Sequence, residues 1–181
     1  MGYKHRHEDI LTAAVQASIE DGMGSLSYRR LAKRLGIPDR TIVYYFPTKE
    51  ALIEAVLEAH ATQLQAILLE AFGRPARDSM DLLRMAWPVV ACPNADPVFR
   101  VFFEITGLAV RGVAPFDRLV PESLEAWIAM LMPLLDVPPS KKRAEAEATL
   151  ATVDGLLLMR QLMGPAAAER AATRLGITAG R

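Results

Sequence analysis

The chain has 181 residues, of which 51% are hydrophobic, and its 21 basic and 21 acidic side chains give a formal net charge of zero. This length and composition allow a sizeable core, either in one domain or in a small head with a larger body. The longest apolar stretch, residues 127–135, is too short for a membrane span, and the polar N-terminal sequence MGYKHRHEDI lacks the apolar segment of a secretory signal. We therefore expect a cytoplasmic protein with no membrane partner.

The first predicted helix lies near the N-terminus. Apolar residues recur at helical spacing from Ile10 to Ile19, and an Asp-Gly pair then supplies a stop. Before this helix, Lys4 to His7 form a short basic arm. His5 and His7 lie two positions apart and do not share a helix face, so we expect an exposed tail and no metal site.

Residues 27–52, SYRRLAKRLGIPDRTIVYYFPTKEAL, predict two short helices joined by a glycine turn. Ser27 suits the N-cap of the first helix, because its hydroxyl can accept from an unpaired amide of the first turn. Gly36 ends that helix, since glycine takes the left-handed conformation at little cost. Pro38 fits the entrance of the second helix, where its missing amide hydrogen is not needed, and Pro47 ends it.

The second helix of this unit separates apolar from polar side chains. Ile42 and Phe46 are four residues apart and can turn inward together, toward the apolar stripe of the first helix. Basic residues cluster on the first helix and continue just beyond it: Arg29, Arg30, Lys33, Arg34, Arg40 and Lys49. Attraction to phosphate depends on such a local patch and not on the net charge of the chain. Standing alone, the patch would be typical of a solvated helix face.

These residues resemble the TetR family of bacterial transcriptional regulators. The resemblance runs through LAKRLGI, the short helix after it, and YFPTKEAL, where an aromatic pair, a turn, Lys49 and Leu52 follow in the family's order. It implies an all-α fold with an N-terminal three-helix helix-turn-helix DNA-binding head, residues 1–48, and a C-terminal helical effector-binding and dimerisation domain, residues 49–181. The segments FFEITGLAVRG and VDGLLLMRQL look like helices of that second domain.

The resemblance also implies which residues contact DNA. Tyr45 and Lys49 match positions that usually hold phosphate, and Arg40 is the leading candidate to read a guanine through its O6 and N7 atoms. Asp39 either accepts from a cytosine amine or suits the positive end of the helix. Val43 stands where the family commonly has tyrosine, and its methyl groups can touch a thymine methyl. The full predicted set is Ser27, Tyr28, Arg29, Asp39, Arg40, Thr41, Val43, Tyr44, Tyr45 and Lys49.

The remainder of the chain predicts further helices. Proline, glycine and asparagine separate the segments, and no segment shows the sustained alternation of a strand, so the fold is expected to be all-α. The predicted helices cover residues 49–72, 79–91, 96–111, 116–135, 141–163 and 165–175.

A group of aromatic residues in this body either lines a cavity for a small apolar effector or fills a solid core. The family resemblance favours the cavity for the group as a whole. Glu104 stands among apolar neighbours, and it either pairs with Arg100 four residues back or orients a ligand amine or hydroxyl. The predicted ligand-binding set is Trp87, Phe99, Phe102, Phe103, Glu104 and Trp127.

The segments ESLEAWIAMLMPLL and AEATLATVDGLLLMRQLM are too apolar for isolated surface helices. They are either ordinary core helices or, as the resemblance implies, the parts that pack against a second copy in a four-helix bundle. A two-fold dimer would place two recognition helices on one face of B-DNA, which suits a palindromic operator.

We therefore predict a homodimeric transcriptional repressor that a small apolar ligand releases from its operator on double-stranded DNA. The alternatives are a helix-turn-helix module that binds a protein, and a regulator without a small-molecule ligand. An enzyme is not expected, because the sequence has no Ser/His/acid arrangement, no cluster of metal ligands and no glycine-rich phosphate loop. No cofactor is predicted.

Overall fold

A computed structural model describes residues 7–178, apart from the side chains of residues 67 and 69–71. Within that range the chain forms nine α-helices and no strand, so the all-α prediction is confirmed; the short 3₁₀ segments are Met23–Ser25 and Met132–Leu134. The helices are α1 (His7–Asp21), α2 (Tyr28–Leu35), α3 (Asp39–Tyr45), α4 (Lys49–Ala71), α5 (Ser79–Val90), α6 (Asp96–Val110), α7 (Phe116–Leu131), α8 (Pro139–Met163) and α9 (Pro165–Arg174).

The helix-turn-helix unit, α2 and α3, begins and ends where the local sequence rules predict. The Ser27 hydroxyl accepts from the amide of Arg30 at 3.4 Å, and Gly36 takes the left-handed conformation with φ of 66°. Pro38 precedes α3 with extended backbone. Ile42 and Phe46 are buried, as predicted, and they join Leu31 in one apolar cluster. The two helices therefore form a rigid unit that holds the outer face of α3 outward.

This cluster does not stop at the predicted domain boundary between residues 48 and 49. It continues through Leu52 and Val56 of α4 into Val101 of α6 and Val120 of α7. The boundary itself stays a prediction, but the head packs directly on α4 and α6, and α7 belongs to the same apolar core.

Helix α4 follows the recognition helix α3 after residues 46–48. The Thr48 hydroxyl accepts from the amide of Ala51 at 3.1 Å and so fixes the start of the helix. Because α4 is 23 residues long, it runs from the head along much of the body. None of the described helices combines the length and the apolar character that crossing a lipid bilayer requires.

The body contains α5 to α9, and two of its predicted helix ends differ from the structure by more than one residue. The helix predicted over 116–135 ends at Leu131 and gives way to a 3₁₀ segment, because Pro133 cannot donate the amide hydrogen of a continuing α-helix. The helix predicted to begin at residue 141 begins at Pro139, since proline is well suited to the first helical position. An isolated parallel bridge joins Ala76 to Leu135 and ties the α4–α5 connection to the end of α7.

Candidate DNA interface and ligand cavity

The outer face of α3 presents the side chains predicted to enter a DNA groove. Tyr44 is 79% exposed and Val43 is 41% exposed, although both are large apolar or aromatic residues. Asp39 and Arg40 are exposed at the start of the helix, whereas Thr41 is half-buried. A short helix that leaves an aromatic ring this exposed has a surface suited to contact with another molecule.

The basic side chains around α3 are available to a polyanion. Arg29, Lys33, Arg40 and Lys49 are exposed and make no ion pair with any residue between 7 and 178. Arg34 differs, because it pairs with Glu20 at 2.6 Å. Arg30 is exposed and also has no ion pair within this range, so the unpaired positive charge of the head lies on α2, at the start of α3 and at the start of α4.

Ser27 and Tyr28 hold the unit together. Ser27 caps α2, and the Tyr28 hydroxyl donates to the carbonyl oxygen of Phe46 at 2.7 Å, which fastens α2 to the end of α3. Burial raises the pKa of Tyr28. Tyr45 is half-buried and stacks edge-on with Tyr44, with ring centroids 5.0 Å apart. That Ser27, Tyr28 and Tyr45 also contact DNA stays a prediction.

The predicted basic arm is only partly covered by the structure. Lys4, His5 and Arg6 lie outside the described residues. His7 is the first residue of α1, and its ring packs against Phe46 with centroids 4.7 Å apart. Residues 7–178 contain no group of three or more His, Cys, Asp or Glu side chains placed to hold a metal ion.

A cavity of about 120 Å³ lies in the body and is lined by α4, α5, α6, α7 and α8. Three of the residues predicted to bind a ligand line it: Phe99, Phe102 and Trp127. The other lining side chains are Ala, Ile, Leu and Val, except for His60, Ser123 and Asp154. An apolar cavity of roughly 150 Å³ can hold a molecule the size of benzene, so this space suits a small ring or a short chain.

Trp87 and Phe103 lie away from the cavity. Trp87 is buried at the α5–α9 side, where its indole Nε1 donates to the Glu169 carboxylate at 3.1 Å. Phe103 is half-buried beside Phe102, with ring centroids 5.3 Å apart. Both pack in the apolar core of the body.

Glu104 also lies away from the cavity, and its expected pairing with Arg100 is wrong. Its carboxylate accepts from the backbone amides of Met23 and Gly24 at 2.9 and 2.8 Å. These amides begin the 3₁₀ segment between α1 and α2, where helical geometry leaves donors unpaired. A Cβ atom at Gly22, which has φ of 82°, would lie 3.0 Å from the carboxylate. Glu104 therefore connects α6 to the head.

His60 lines the cavity and makes a polar contact with the head. Its Nε2 lies 2.9 Å from the Ser18 hydroxyl of α1, and that hydroxyl donates its hydrogen to the carbonyl oxygen of Val15 at 2.7 Å. Because a hydroxyl has one hydrogen, Nε2 must be the donor to Ser18. Burial lowers the pKa of His60, so the ring is neutral and its Nδ1 is an acceptor. Nδ1 is buried and has no hydrogen-bond partner among the described residues.

Sequence reasoning missed the polar residues of the cavity. The available signal was a single polar residue on an otherwise apolar helix face. Asp154 shares its face of α8 with Leu150, Val153 and Leu157, all of which line the cavity. His60 stands in the same way between apolar residues of α4.

Sequence comparison with known proteins finds similarity mainly in the head. Residues 10–56 match the model for bacterial regulatory proteins of the tetR family. A segment of 59 residues is 36% identical to the tetracycline repressor protein class C of Escherichia coli. That segment covers 33% of this chain and 27% of the repressor.

Solved structures extend the similarity to the body. A transcriptional regulator from Rhodococcus sp. Rha1 aligns with a TM-score of 0.72 and 23% identity, over 92% of this chain and 91% of that one. A TetR transcriptional regulator from Legionella pneumophila aligns with a TM-score of 0.68 and 19% identity, over 97% of both chains. The multidrug binding protein EbrR, solved with imidazole, has a TM-score of 0.67 and 23% identity, over 96% of this chain and 90% of its own. These structures share the fold of head and body together.

Proposed function

We propose that the chain is a non-enzymatic, DNA-binding transcriptional regulator of the TetR family and that it acts as a homodimeric repressor. The match of residues 10–56 to the tetR family model and the 36% identity over 59 residues to a tetracycline repressor support this proposal. It binds a palindromic operator on double-stranded DNA and leaves it when a small, largely apolar ligand enters the body. The observation that carries the proposal is the outer face of α3, with exposed Arg40 and Tyr44 beside unpaired basic residues. A bacterial regulator has to reach the chromosome, so we also propose a cytoplasmic location.

The DNA contacts divide into two kinds. We propose that Arg40 and Val43, both exposed on α3, contact base edges. A bidentate arginine distinguishes guanine by about 1–3 kcal/mol. Arg29 and Lys49 flank them and are suited to phosphate, which supplies affinity and position but no sequence information. Tyr44 is 79% exposed on α3 and can contact either a base or the sugar-phosphate backbone.

An uncharged stripe on α8 supports the dimer. Its residues are exposed and recur at intervals of four and three positions, so they share one face of the helix. Leu158 and Leu162 are 41% and 76% exposed at one end, and small residues at the other end allow close approach of a second helix. The stripe consists of Ala144, Ala148, Ala151, Gly155, Leu158 and Leu162. We propose that two copies meet there, since a monomer rarely leaves such a face in water. By contrast, α7 turns Ile128 and Leu131 into the core.

The cavity lies where a ligand can act on the head. Its walls include α4, which begins just after α3, and α6, which holds the α1–α2 connection through Glu104. His60 of α4 contacts both the cavity and Ser18 of α1. A ligand that favours a different placement of α4 or α6 would change the separation of the two heads in a dimer. It can do so only through its different affinities for the two arrangements. EbrR, which shares the fold, is a multidrug binding protein.

The DNA proposal is tested by selection from a pool of random-sequence duplexes at low salt, followed by measurement of affinity against ionic strength. We expect enrichment of a palindrome whose half-sites are one helical turn or a multiple of it apart. Affinity should fall steeply with salt, because phosphate contacts release counterions. Failure to enrich any sequence, or DNA binding that does not respond to salt, would overturn the proposal in favour of a protein-interaction module.

The dimer is tested by sedimentation of Leu158→Glu beside Val110→Glu. Val110 is 83% exposed at the end of α6 and provides a matched apolar-to-acidic change away from the α8 stripe. We expect Leu158→Glu to sediment as a monomer and to bind the selected palindrome weakly, while Val110→Glu remains dimeric. A dimer that survives Leu158→Glu would place the interface elsewhere.

A further inference from the structure

The cavity contains an acidic side chain that nothing neutralises. Asp154 of α8 lines the cavity and makes no hydrogen bond or ion pair with any residue in the described part of the chain. The described lining residues include no lysine or arginine. Two other acids of the body that are not exposed are paired: Asp96 with Arg160 at 2.6 Å, and Asp81 with Arg74 at 2.6 Å. Asp154 is half-buried, and an unpaired carboxylate held among apolar side chains is costly.

The neighbouring polar group cannot supply the missing charge. His60 is neutral, its Nε2 hydrogen is committed to Ser18, and its Nδ1 is an unpartnered acceptor. The ring is only 6% exposed, so bulk water does not satisfy it. Asp154 and His60 therefore both require a hydrogen-bond donor, and Asp154 in addition requires a positive charge.

The remaining walls suit the rest of such a molecule. Phe99, Phe102 and Trp127 present aromatic surface to the same space. Aromatic rings attract a cation as well as an apolar group, because their faces carry partial negative charge. A ligand with a carboxylate or phosphate would instead meet the Asp154 carboxylate and an acceptor nitrogen, with no described cation in the wall to offset them.

We propose that the effector is a small amphipathic amine, whose protonated nitrogen pairs with the Asp154 carboxylate while its apolar part lies against Phe99, Phe102 and Trp127. The inference rests on the proposed ligand-responsive function, since it names the chemical class of the ligand for that cavity. His60 Nδ1 is available to a second donor on the same molecule. The pairing selects amines over neutral molecules of the same shape.

The experiment compares three probes of similar size by calorimetry on the full chain at pH 7.5: 2-phenylethylamine, 2-phenylethanol and phenylacetate. We expect the amine to bind about tenfold or more tightly than the alcohol, as a charge-assisted hydrogen bond in an apolar site allows, and phenylacetate to bind least. Asp154→Asn should lower the affinity for the amine to that for the alcohol. It should change the affinity for the alcohol by no more than about twofold. Because Asn keeps the shape of the side chain and removes an unpaired charge, this variant is expected to fold.

Glu147→Gln is the matched control, since Glu147 lies on α8, is exposed and is ion-paired with Arg143 outside the cavity. It should keep the full preference for the amine. Equal affinities for amine and alcohol in the unmodified protein, an amine preference that survives Asp154→Asn, tightest binding by phenylacetate, or no binding by any probe would each overturn the inference.

The same samples separate this inference from the proposed function. Binding to the selected palindrome is measured by fluorescence anisotropy with and without each probe. Selective DNA binding without a preference for the amine would overturn the ligand class and leave the regulator intact. An Asp154-dependent preference for the amine in a protein that binds no DNA sequence would sustain the ligand class and overturn the regulator.

Discussion

On the outer face of α3, Asp39 and Arg40 lie in water, whereas Asp154 lies in a cavity among apolar side chains from several helices. Water and salt screen the charges of the head, so each charge costs little folding free energy. Attraction to DNA then comes mainly from several such charges together. In the cavity, low polarity strengthens every interaction of the Asp154 charge and makes its unpaired state unfavourable. The head can therefore use several modest charges to bind a polyanion, while the cavity needs only one charge to select a small ligand.

The largest expected effect concerns the buried side of the head. Ile42→Ala removes a fully buried side chain from the shared core of α2, α3 and α4, and it should lower the free energy of unfolding by about 2–5 kcal/mol. Val43→Ala, the adjacent and exposed position, should change it by less than about 0.5 kcal/mol. Chemical denaturation measures both. Similar losses for the two variants would contradict the assignment of Ile42 to the buried face and Val43 to the exposed face of α3.

The second prediction concerns how the stability of the protein depends on pH through Asp154 in the cavity. Burial raises the pKa of Asp154 to about 6 from its ordinary 3.8. The folded protein therefore holds this proton more tightly than the unfolded chain, and the resulting stability is complete below pH 3.8 and is lost as the pH rises through about 6.

Relative to the unmodified protein, Asp154→Asn should gain at most about 3 kcal/mol of unfolding free energy across that pH range and keep the gain at pH 7. Denaturation of both proteins between pH 4 and 7 gives this difference directly, since other groups titrate alike in the two. A difference that does not change with pH would show that Asp154 is not held in an unfavourable charged state.

A third prediction compares two arginines of the head. Arg40→Ala should lose about 1–3 kcal/mol of discrimination at one base pair of each half-site, because Arg40 is exposed and unpaired within residues 7–178. Arg34→Ala should leave discrimination unchanged, since Arg34 already pairs with Glu20. Binding to operator variants with single substitutions measures both. A uniform loss over all operator variants on Arg40→Ala would make Arg40 a phosphate contact.

A fourth prediction concerns the connection between body and head, where the expected loss of stability is smaller than for Ile42→Ala. Glu104→Gln keeps one acceptor oxygen but loses the charge and one of the two hydrogen bonds to Met23 and Gly24, which should lower the free energy of unfolding by about 1–2 kcal/mol. The effect on regulation should be larger than this suggests, because the ligand would reduce DNA affinity less. Glu122→Gln, an exposed ion-pair partner of Arg118, is the control for loss of a carboxylate. An unchanged response to ligand in Glu104→Gln would remove α6 from the coupling.

The sequence predicted the head well because its rules act over a few residues. Ser27, Gly36 and Pro38 each fix the backbone locally, and α2 and α3 begin and end accordingly. The side chains that contact DNA stay predictions from family resemblance. The predicted end of α7 is wrong although Pro133 is a local helix-ending residue, because the predicted helix extends to residue 135 and the observed helix ends at Leu131.

The cavity was harder to predict because it is formed by residues that are distant in the chain. Whether an aromatic side chain of α5 or α6 faces the cavity depends on how neighbouring helices approach, which periodicity along one helix does not report. Trp87 found a partner in Glu169, and Glu104 found its partners at residues 23 and 24. His60 and Asp154 are single polar residues on apolar helix faces, and the sequence shows this much. That both line one cavity follows only from the packing of the other helices around it.

The placement of the two tryptophans gives the molecule a built-in optical reporter. Both indoles of the chain are within the described residues, and only Trp127 borders the cavity, while Trp87 is enclosed elsewhere with its nitrogen bonded to Glu169. Replacing Trp87 with phenylalanine would leave a single fluorophore at the cavity wall. Its emission would then follow occupancy of the cavity in real time, without an added dye and for occupants of any chemical class.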